Sequence, residues 1–155
     1  MKNILMFCIL LSSVAFAQEV KVGNILEKYM QAWNEHDRDK IETFYAQDVI
    51  WYDLGYDYET KGKKKVSKSI TEAFLSNVDG MYWVKSGDVF TDGDTIIYEW
   101  IYGGNFHGIF DGKIIQNKAF SIKGISTTTV NENGKIVSQK DYYDLCNFKK
   151  QLGLE

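Results

Sequence analysis

The stretch NGKIVSQKDYYD, residues 133–144, decides how the second half of the chain is interpreted. It opens with Asn133-Gly134, a pair typical of a tight β-hairpin turn. The residues after the turn predict a final strand over about 135–145, and those before it predict a partner strand over about 117–130. Because side chains alternate along a strand, Gln139, Asp141 and Tyr143 are expected on one face.

Further strands and helices are predicted in the earlier part of the chain. Two more strands are predicted at 81–90 (MYWVKSGDVF) and 95–104 (TIIYEWIYGG), and a short one at 49–55. Before them, apolar residues recur at helical spacing from Val22 to Trp33, and two shorter helices are predicted around Ile41–Tyr45 and Val66–Phe74. Helices segregated from four sequential antiparallel strands predict an α+β layer fold. Strongly twisted strands of this length can curl around one helix and enclose a cavity.

The first 17 residues, MKNILMFCILLSSVAFA, have a different character. One lysine, an apolar run over 4–11 and Ala15-Phe16-Ala17 before Gln18 are the layout of a secretory signal peptide. The apolar run is too short for an ordinary membrane span. The sequence therefore predicts a signal peptide at 1–17, a single domain at 19–155, a secreted or periplasmic location, and no membrane association after the signal is removed.

Composition narrows the function classes. The chain has a formal net charge of −3, so a nucleic-acid partner is not expected, because phosphates require a basic face. The two histidines, His36 and His107, stand outside any HxxxH pattern, and no CxxC occurs, so no metal site is predicted. No GxSxG, P-loop or GxGxxG motif appears, and no cofactor is predicted. Aromatic residues, at 15%, are abundant.

Several segments in this order resemble the SnoaL-like polyketide cyclases of the NTF2-like superfamily. They are YMQAWNEHD (29–37), FYAQDVIWYD (44–53), FHG (106–108), AFSIKGIS (119–126), NGKIVSQKDYYD (133–144) and QLG (151–153). The resemblance implies a cone-shaped α+β barrel, in which a curved antiparallel sheet wraps around a long N-terminal helix with two further helices. It also implies a homodimer formed through the outer face of the sheet, where Ile97, Ile101, Lys123, Ile125 and Thr127 are the candidates.

The resemblance also suggests site residues. Asp141 matches an acid that acts in proton transfer, with His107 beside it in the same pocket. The related ketosteroid isomerases have a base at the position of Asp53 and a tyrosine at that of Tyr29, but Ser126 replaces their second acid. Aromatic side chains are expected to line the pocket: Tyr29, Trp33, Trp51, Trp83, Trp100, Tyr102 and Tyr143.

Two kinds of function remain open on this basis. One is a cofactor-free cyclase, isomerase or lyase that acts on a hydrophobic small molecule, because an apolar pocket raises the pKa of a carboxyl group towards the working pH. The other is a non-catalytic module that binds a small molecule in the same pocket, or that serves only for association, since one fold hosts many functions.

Overall fold

The structure, a computed structural model, describes residues 23–154. The predicted signal peptide lies outside the described residues. No helix among those described has the length and apolar character needed to cross a membrane. The helices are α1 (helical residues 23–34), α2 (Arg38–Thr43), α3 (Lys63–Val66), α4 (Glu72–Asn77) and α5 (Leu145–Leu152). One π-helical turn, Ser67–Thr71, joins α3 to α4, so residues 63–77 form one helical segment.

Six strands form a single sheet in the order β2-β1-β6-β5-β4-β3. Only the β1–β6 pair is parallel. This mixed α+β architecture with a curved sheet confirms the predicted fold class. The strands are β1 (Tyr45–Asp53), β2 (Tyr58–Lys61), β3 (Val78–Asp92), β4 (Thr95–Phe110), β5 (Lys113–Val130) and β6 (Ile136–Tyr143).

The sheet differs from the prediction in length and in one strand. β3, β4 and β5 extend beyond the predicted segments, and the four-residue β2 was not predicted. Shifts in register interrupt the β3–β4 ladder twice and the β4–β5 ladder once, between Phe106 and Gly108. Such bulges bend a strand and increase its twist, which allows strands this long to curve around a core.

The apolar face of α1 packs against the inside of the sheet, as predicted. Leu26, Tyr29, Met30 and Trp33 are buried. The ring of Tyr29 alone contacts four aromatic neighbours, at centroid distances of 5.4–6.3 Å. Burial of large aromatic side chains is a major source of stability in a domain whose described part contains a single, unpaired cysteine.

β6 is preceded by a hairpin turn and followed directly by the capped helix α5. The hairpin predicted at Asn133-Gly134 is confirmed: Gly134 has a φ of 71°, and the side chain of Asn131 accepts hydrogen bonds from two backbone N–H groups of the turn. After β6, the Asp144 carboxylate accepts a hydrogen bond from the backbone N–H of Asn147 and caps α5. β6 is thereby held between the turn and α5.

Candidate functional site

A cavity of about 610 Å³ lies on the inner side of the sheet, between the sheet and the helical segment 63–77. Its wall is mostly aromatic and aliphatic. It includes six of the seven aromatic residues predicted to line it: Trp33, Trp51, Trp83, Trp100, Tyr102 and Tyr143. The two predicted acids, Asp53 and Asp141, also line the cavity. A cavity of this volume is in the range of small-molecule sites.

Strand alternation explains which side chains reach the cavity. In β4 the even-numbered residues Trp100, Tyr102 and Phe106 line it. In β6 the odd-numbered residues Asp141 and Tyr143 line it. They lie on the same side of the sheet as Trp100, because Asp141 is opposite Ser126 on β5, and Ser126 is opposite Tyr98, which shares a face of β4 with Trp100. Inward-facing residues of three neighbouring strands thus form one continuous surface.

Asp141 is tightly held at this surface. Its Oδ1 accepts hydrogen bonds from the Ser126 hydroxyl at 2.6 Å and from the Gln139 side-chain N–H at 2.7 Å. Burial raises the pKa of Asp141 to about 6, from an ordinary value of 3.8. The donors Ser126, Gln139 and Trp51 act to lower this pKa, and the charge of Asp53 acts to raise it. Asp141 therefore changes its protonation state close to neutral pH.

A polar network behind Asp141 fixes Ser126 and Gln139, the two donors that bond to Oδ1. The Trp100 indole N–H donates to Ser126 at 2.7 Å, and the Thr128 hydroxyl donates to the side-chain oxygen of fully buried Gln139. Sequence reasoning placed Gln139 on the inner face but missed its role and that of Ser126 as donors. The signal for Gln139 was its spacing of two from Asp141; the signal for Ser126 existed only in the pairing of β5 with β6.

Asp53 is a second carboxylate beside Asp141. The two residues are register partners on the parallel strands β1 and β6. The Tyr143 hydroxyl donates to both oxygens of Asp53, at 3.0 and 3.2 Å, and the Tyr56 backbone N–H donates at 3.2 Å. Burial and the neighbouring Asp53 raise the pKa of the Tyr143 hydroxyl, so Tyr143 remains a neutral donor.

Tyr29 does not line the cavity, and its predicted place there is wrong. Its side chain is fully buried within the core, where its hydroxyl lies 3.1 Å from that of Tyr45. Tyr45 in turn lies 3.2 Å from the Thr71 hydroxyl in the π-helical turn. The physical reason is the position of Tyr29 on the face of α1 that packs against other aromatic rings, which leaves no surface open to the cavity.

His107 is also outside the cavity, which corrects its predicted place beside Asp141. Its side chain is 42% exposed, and its Nδ1 lies 3.3 Å from a carboxylate oxygen of Asp79. Phe106, the preceding residue, occupies the inward position. His107 lies at the register shift between Phe106 and Gly108, and its side chain is paired with Asp79 instead of lining the cavity. Within residues 23–154, no three His, Cys, Asp or Glu side chains come together as metal ligands.

Comparison with solved structures shows which proteins share this fold. A SnoaL-like polyketide cyclase family protein from Shewanella denitrificans OS-217 superposes with a TM-score of 0.76 at 20% identity, over 86% of this chain and 98% of that chain. A protein with a ketosteroid isomerase-like fold from Catenulispora acidiphila DSM 44928, solved in complex with trimethylamine, gives 0.71 at 20% identity, over 84% and 93%. These similarities show that the chain has the fold of these two proteins, a ketosteroid isomerase-like fold.

The family follows from sequence. The model of the SnoaL-like polyketide cyclase family matches residues 23–152, and the chain belongs to this family. A relative from Shewanella putrefaciens CN-32 supports the same fold, with a TM-score of 0.75 at 20% identity, over 86% of this chain and 97% of that chain. No curated protein matches the sequence. The resemblance drawn from the sequence motifs is therefore confirmed.

Proposed function

We propose that the cavity binds a hydrophobic small molecule and that Asp141 transfers protons to and from it, without a cofactor, in a cyclase, isomerase or lyase reaction. The observation that carries this proposal is the position of Asp141: a partly buried carboxyl group on the wall of an aromatic cavity, with a pKa of about 6. A general acid–base is most effective when its pKa lies near the working pH.

The arrangement suits ring closure of an aldol type. In this step the Asp141 carboxylate removes a proton from a carbon next to a carbonyl group. That carbon then bonds to a second carbonyl carbon, and the resulting alkoxide takes the proton back from Asp141. Because both hydrogen bonds from Ser126 and Gln139 end on Oδ1, Oδ2 is the oxygen assigned to the proton transfer. Asp53 is the second acid available in the wall.

The second candidate function is binding without catalysis. The observation in its favour is that Asp141 accepts hydrogen bonds from Ser126 and Gln139, which would also suit a structural acid. Small-molecule binding by this kind of domain is supported by the trimethylamine complex of the Catenulispora acidiphila protein. In this case the cavity would be a carrier site, and Asp141 would hold β5 and β6 together.

The Asp141→Asn variant distinguishes the two functions. Ligand retained by the purified protein would first be identified by mass spectrometry and then tested for turnover. If Asp141 is the acid–base group, the variant keeps its fold and its ligand but loses turnover by roughly a hundredfold or more. The matched control is Asp48→Asn, which removes an exposed carboxylate on β1. Intact activity in Asp141→Asn would refute the catalytic role.

We also propose that the protein is exported and that its mature form is a homodimer. Export is supported by the signal layout of residues 1–17, and places the mature protein outside the cytoplasm, secreted or periplasmic. Intact mass of protein from the native host should correspond to a chain starting at Gln18 or close to it. A full-length chain that starts at Met1 would contradict export.

A further inference from the structure

The charged side chains of the described residues that line the cavity are all acidic. Asp53 and Asp141 are its two acids, and among the described residues that line it there is no Lys, Arg or His. Lys149 does approach the ring of Tyr56, at 5.7 Å, but its ammonium group is already paired with Asp111 at 2.6 Å. The cavity therefore presents negative charge to its occupant without a cationic side chain of its own.

The hydrogen bonds to Asp53 leave its charge uncompensated. Within the described part of the chain its donors are neutral groups, the Tyr143 hydroxyl and the Tyr56 backbone N–H. Removing a carboxylate from water is unfavourable unless an opposite charge or a full set of hydrogen bonds replaces the lost hydration. Asp141 adds to this unbalanced charge when it ionises, because it is the register partner of Asp53 on the adjacent strand, about 5 Å away between backbones.

The rest of the wall adds a second, independent attraction for positive charge. Trp33, Trp51, Trp83 and Trp100 line the same cavity as the two carboxylates. Aromatic rings attract cations through the negative potential of their faces, and tryptophan does so most strongly. Carboxylates combined with aromatic rings are the chemistry by which proteins recognise organic ammonium ions, whose alkyl groups need an apolar wall and whose charge needs an anion.

We infer that the ligand of this cavity is an organic cation, a hydrophobic amine in its ammonium form or a quaternary ammonium compound, and that Asp53 is the carboxylate that faces its positive charge. This inference rests on the proposed binding of a small molecule in the same cavity and specifies its chemical class. Asp53 and Asp141 then have separate tasks, since Asp53 anchors the cation while Asp141 remains available for proton transfer.

The inference predicts how affinity depends on pH. The titratable groups that interact with Asp141 are Asp53, Tyr45, Tyr98 and Tyr143. Burial raises the pKa of all three tyrosines, so they stay neutral and do not change charge in the acidic to neutral range. Since Asp141 ionises with a pKa of about 6, affinity for a permanent cation should rise from pH 5 to pH 7.

An isosteric pair of probes tests charge separately from shape. Phenyltrimethylammonium carries a permanent positive charge, and tert-butylbenzene has the same shape without it. Titration of the mature wild-type protein, followed by NMR at pH 7.5, should show the cation binding about tenfold or more tightly than the neutral probe. Equal or tighter binding of tert-butylbenzene would overturn the inference while leaving small-molecule binding intact. If neither probe bound, both proposals would fail.

Variants test whether Asp53 causes the preference for the cationic probe. Asp53→Asn preserves the shape of the side chain and an acceptor for Tyr143, and should remove most of the preference for the cation while leaving tert-butylbenzene affinity nearly unchanged. Asp48→Asn removes the same charge from an exposed position on β1 and should keep the preference. A preference unchanged in Asp53→Asn would refute the anchoring role. The comparison of the two probes on the wild type needs no variant and is decisive if Asp53→Asn does not fold.

Discussion

Two opposing effects act on the pKa of the Asp141 carboxyl group. Burial disfavours its charged form, whereas the hydrogen bonds from Ser126 and Gln139 favour it. Burial has the larger effect, since the net result is a pKa raised to about 6. A group whose native pKa lies above its ordinary value destabilises the fold once it is ionised. The feature proposed to serve proton transfer is therefore also a source of instability at neutral pH.

This predicts a pH-dependent gain in stability for Asp141→Asn. The native state holds the Asp141 proton between about pH 4 and pH 6, where the unfolded chain, with a pKa near 3.8, has already lost it. The stabilisation from this proton is complete below about pH 4 and is lost as pH rises through 6. Since Asn cannot ionise, the variant should be more stable than the wild type by on the order of 1–3 kcal/mol at pH 8.

Thermal unfolding from pH 4 to pH 8 measures this difference. The gap in Tm between Asp141→Asn and the wild type should be largest at pH 8 and should close towards pH 4. Asp48→Asn, exposed on β1, should show no comparable trend. A gap that does not change with pH would mean that the Asp141 pKa is not raised by folding.

At the scale of elements, the β4–β5 pair depends on one close approach. Gly124 is the register partner of Trp100. A Cβ atom at position 124 would overlap the Trp100 ring and would lie 2.7 Å from the carbonyl oxygen of Tyr142 on β6. The missing side chain therefore lets the Trp100 indole lie across β5, where its N–H reaches Ser126.

Gly124→Ala should therefore disturb the site as well as the sheet. Overpacking of this kind is expected to destabilise the protein by about 1–3 kcal/mol, and displacement of the indole should weaken its bond to Ser126. Denaturant unfolding measures the first effect, and the indole N–H resonance of Trp100 reports the second. Gly23→Ala in α1 is the control, since a Cβ atom at position 23 would meet no atom within 4 Å. A Gly124→Ala protein with unchanged stability and an unchanged resonance would contradict this packing.

At the scale of the whole molecule, the outer face of the sheet carries an apolar patch. Ile97 is opposite Thr127, and Ile101 is opposite Lys123, with Ile125 between them on β5. Ile97 and Ile125 are 36% and 44% exposed. Exposed β-branched residues on neighbouring long strands are candidates for a two-fold interface, in which the same patch of each copy would be buried. This supports the proposed homodimer.

A single substitution that introduces a charge tests the predicted dimer. Wild-type mature protein at roughly tens of micromolar, a working concentration for an interface of this kind, should scatter light as a dimer. Ile125→Lys should shift it to monomer, because the proposed interface would then have to bury an unpaired charge from each copy. Ile114→Lys, at the far end of β5 and 76% exposed, should remain dimeric. A monomeric wild-type protein would refute the interface.

The sequence alone determined the local part of this structure. Helical periodicity in α1, alternation in β4 and β6 and the turn at Asn133-Gly134 depend on neighbours within a few residues, so they can be read directly. The order of the predicted helices and strands indicated the α+β class, and the resemblance of the family segments added the cone-shaped barrel and drew attention to Asp141. Alternation could not place His107, because this residue lies beyond the predicted strand 95–104 and at the register shift between Phe106 and Gly108.

Only the tertiary structure decided how the site is assembled. The bond from Tyr143 to Asp53 joins residues 90 positions apart, and the contact of Ser126 with Asp141 depends on the register of β5 against β6. Register and depth of burial arise from packing of the whole sheet, and short-range patterns do not encode them. The raised pKa of Asp141 and the unbalanced negative charge of the cavity are consequences of that packing, because both depend on which groups lose contact with water.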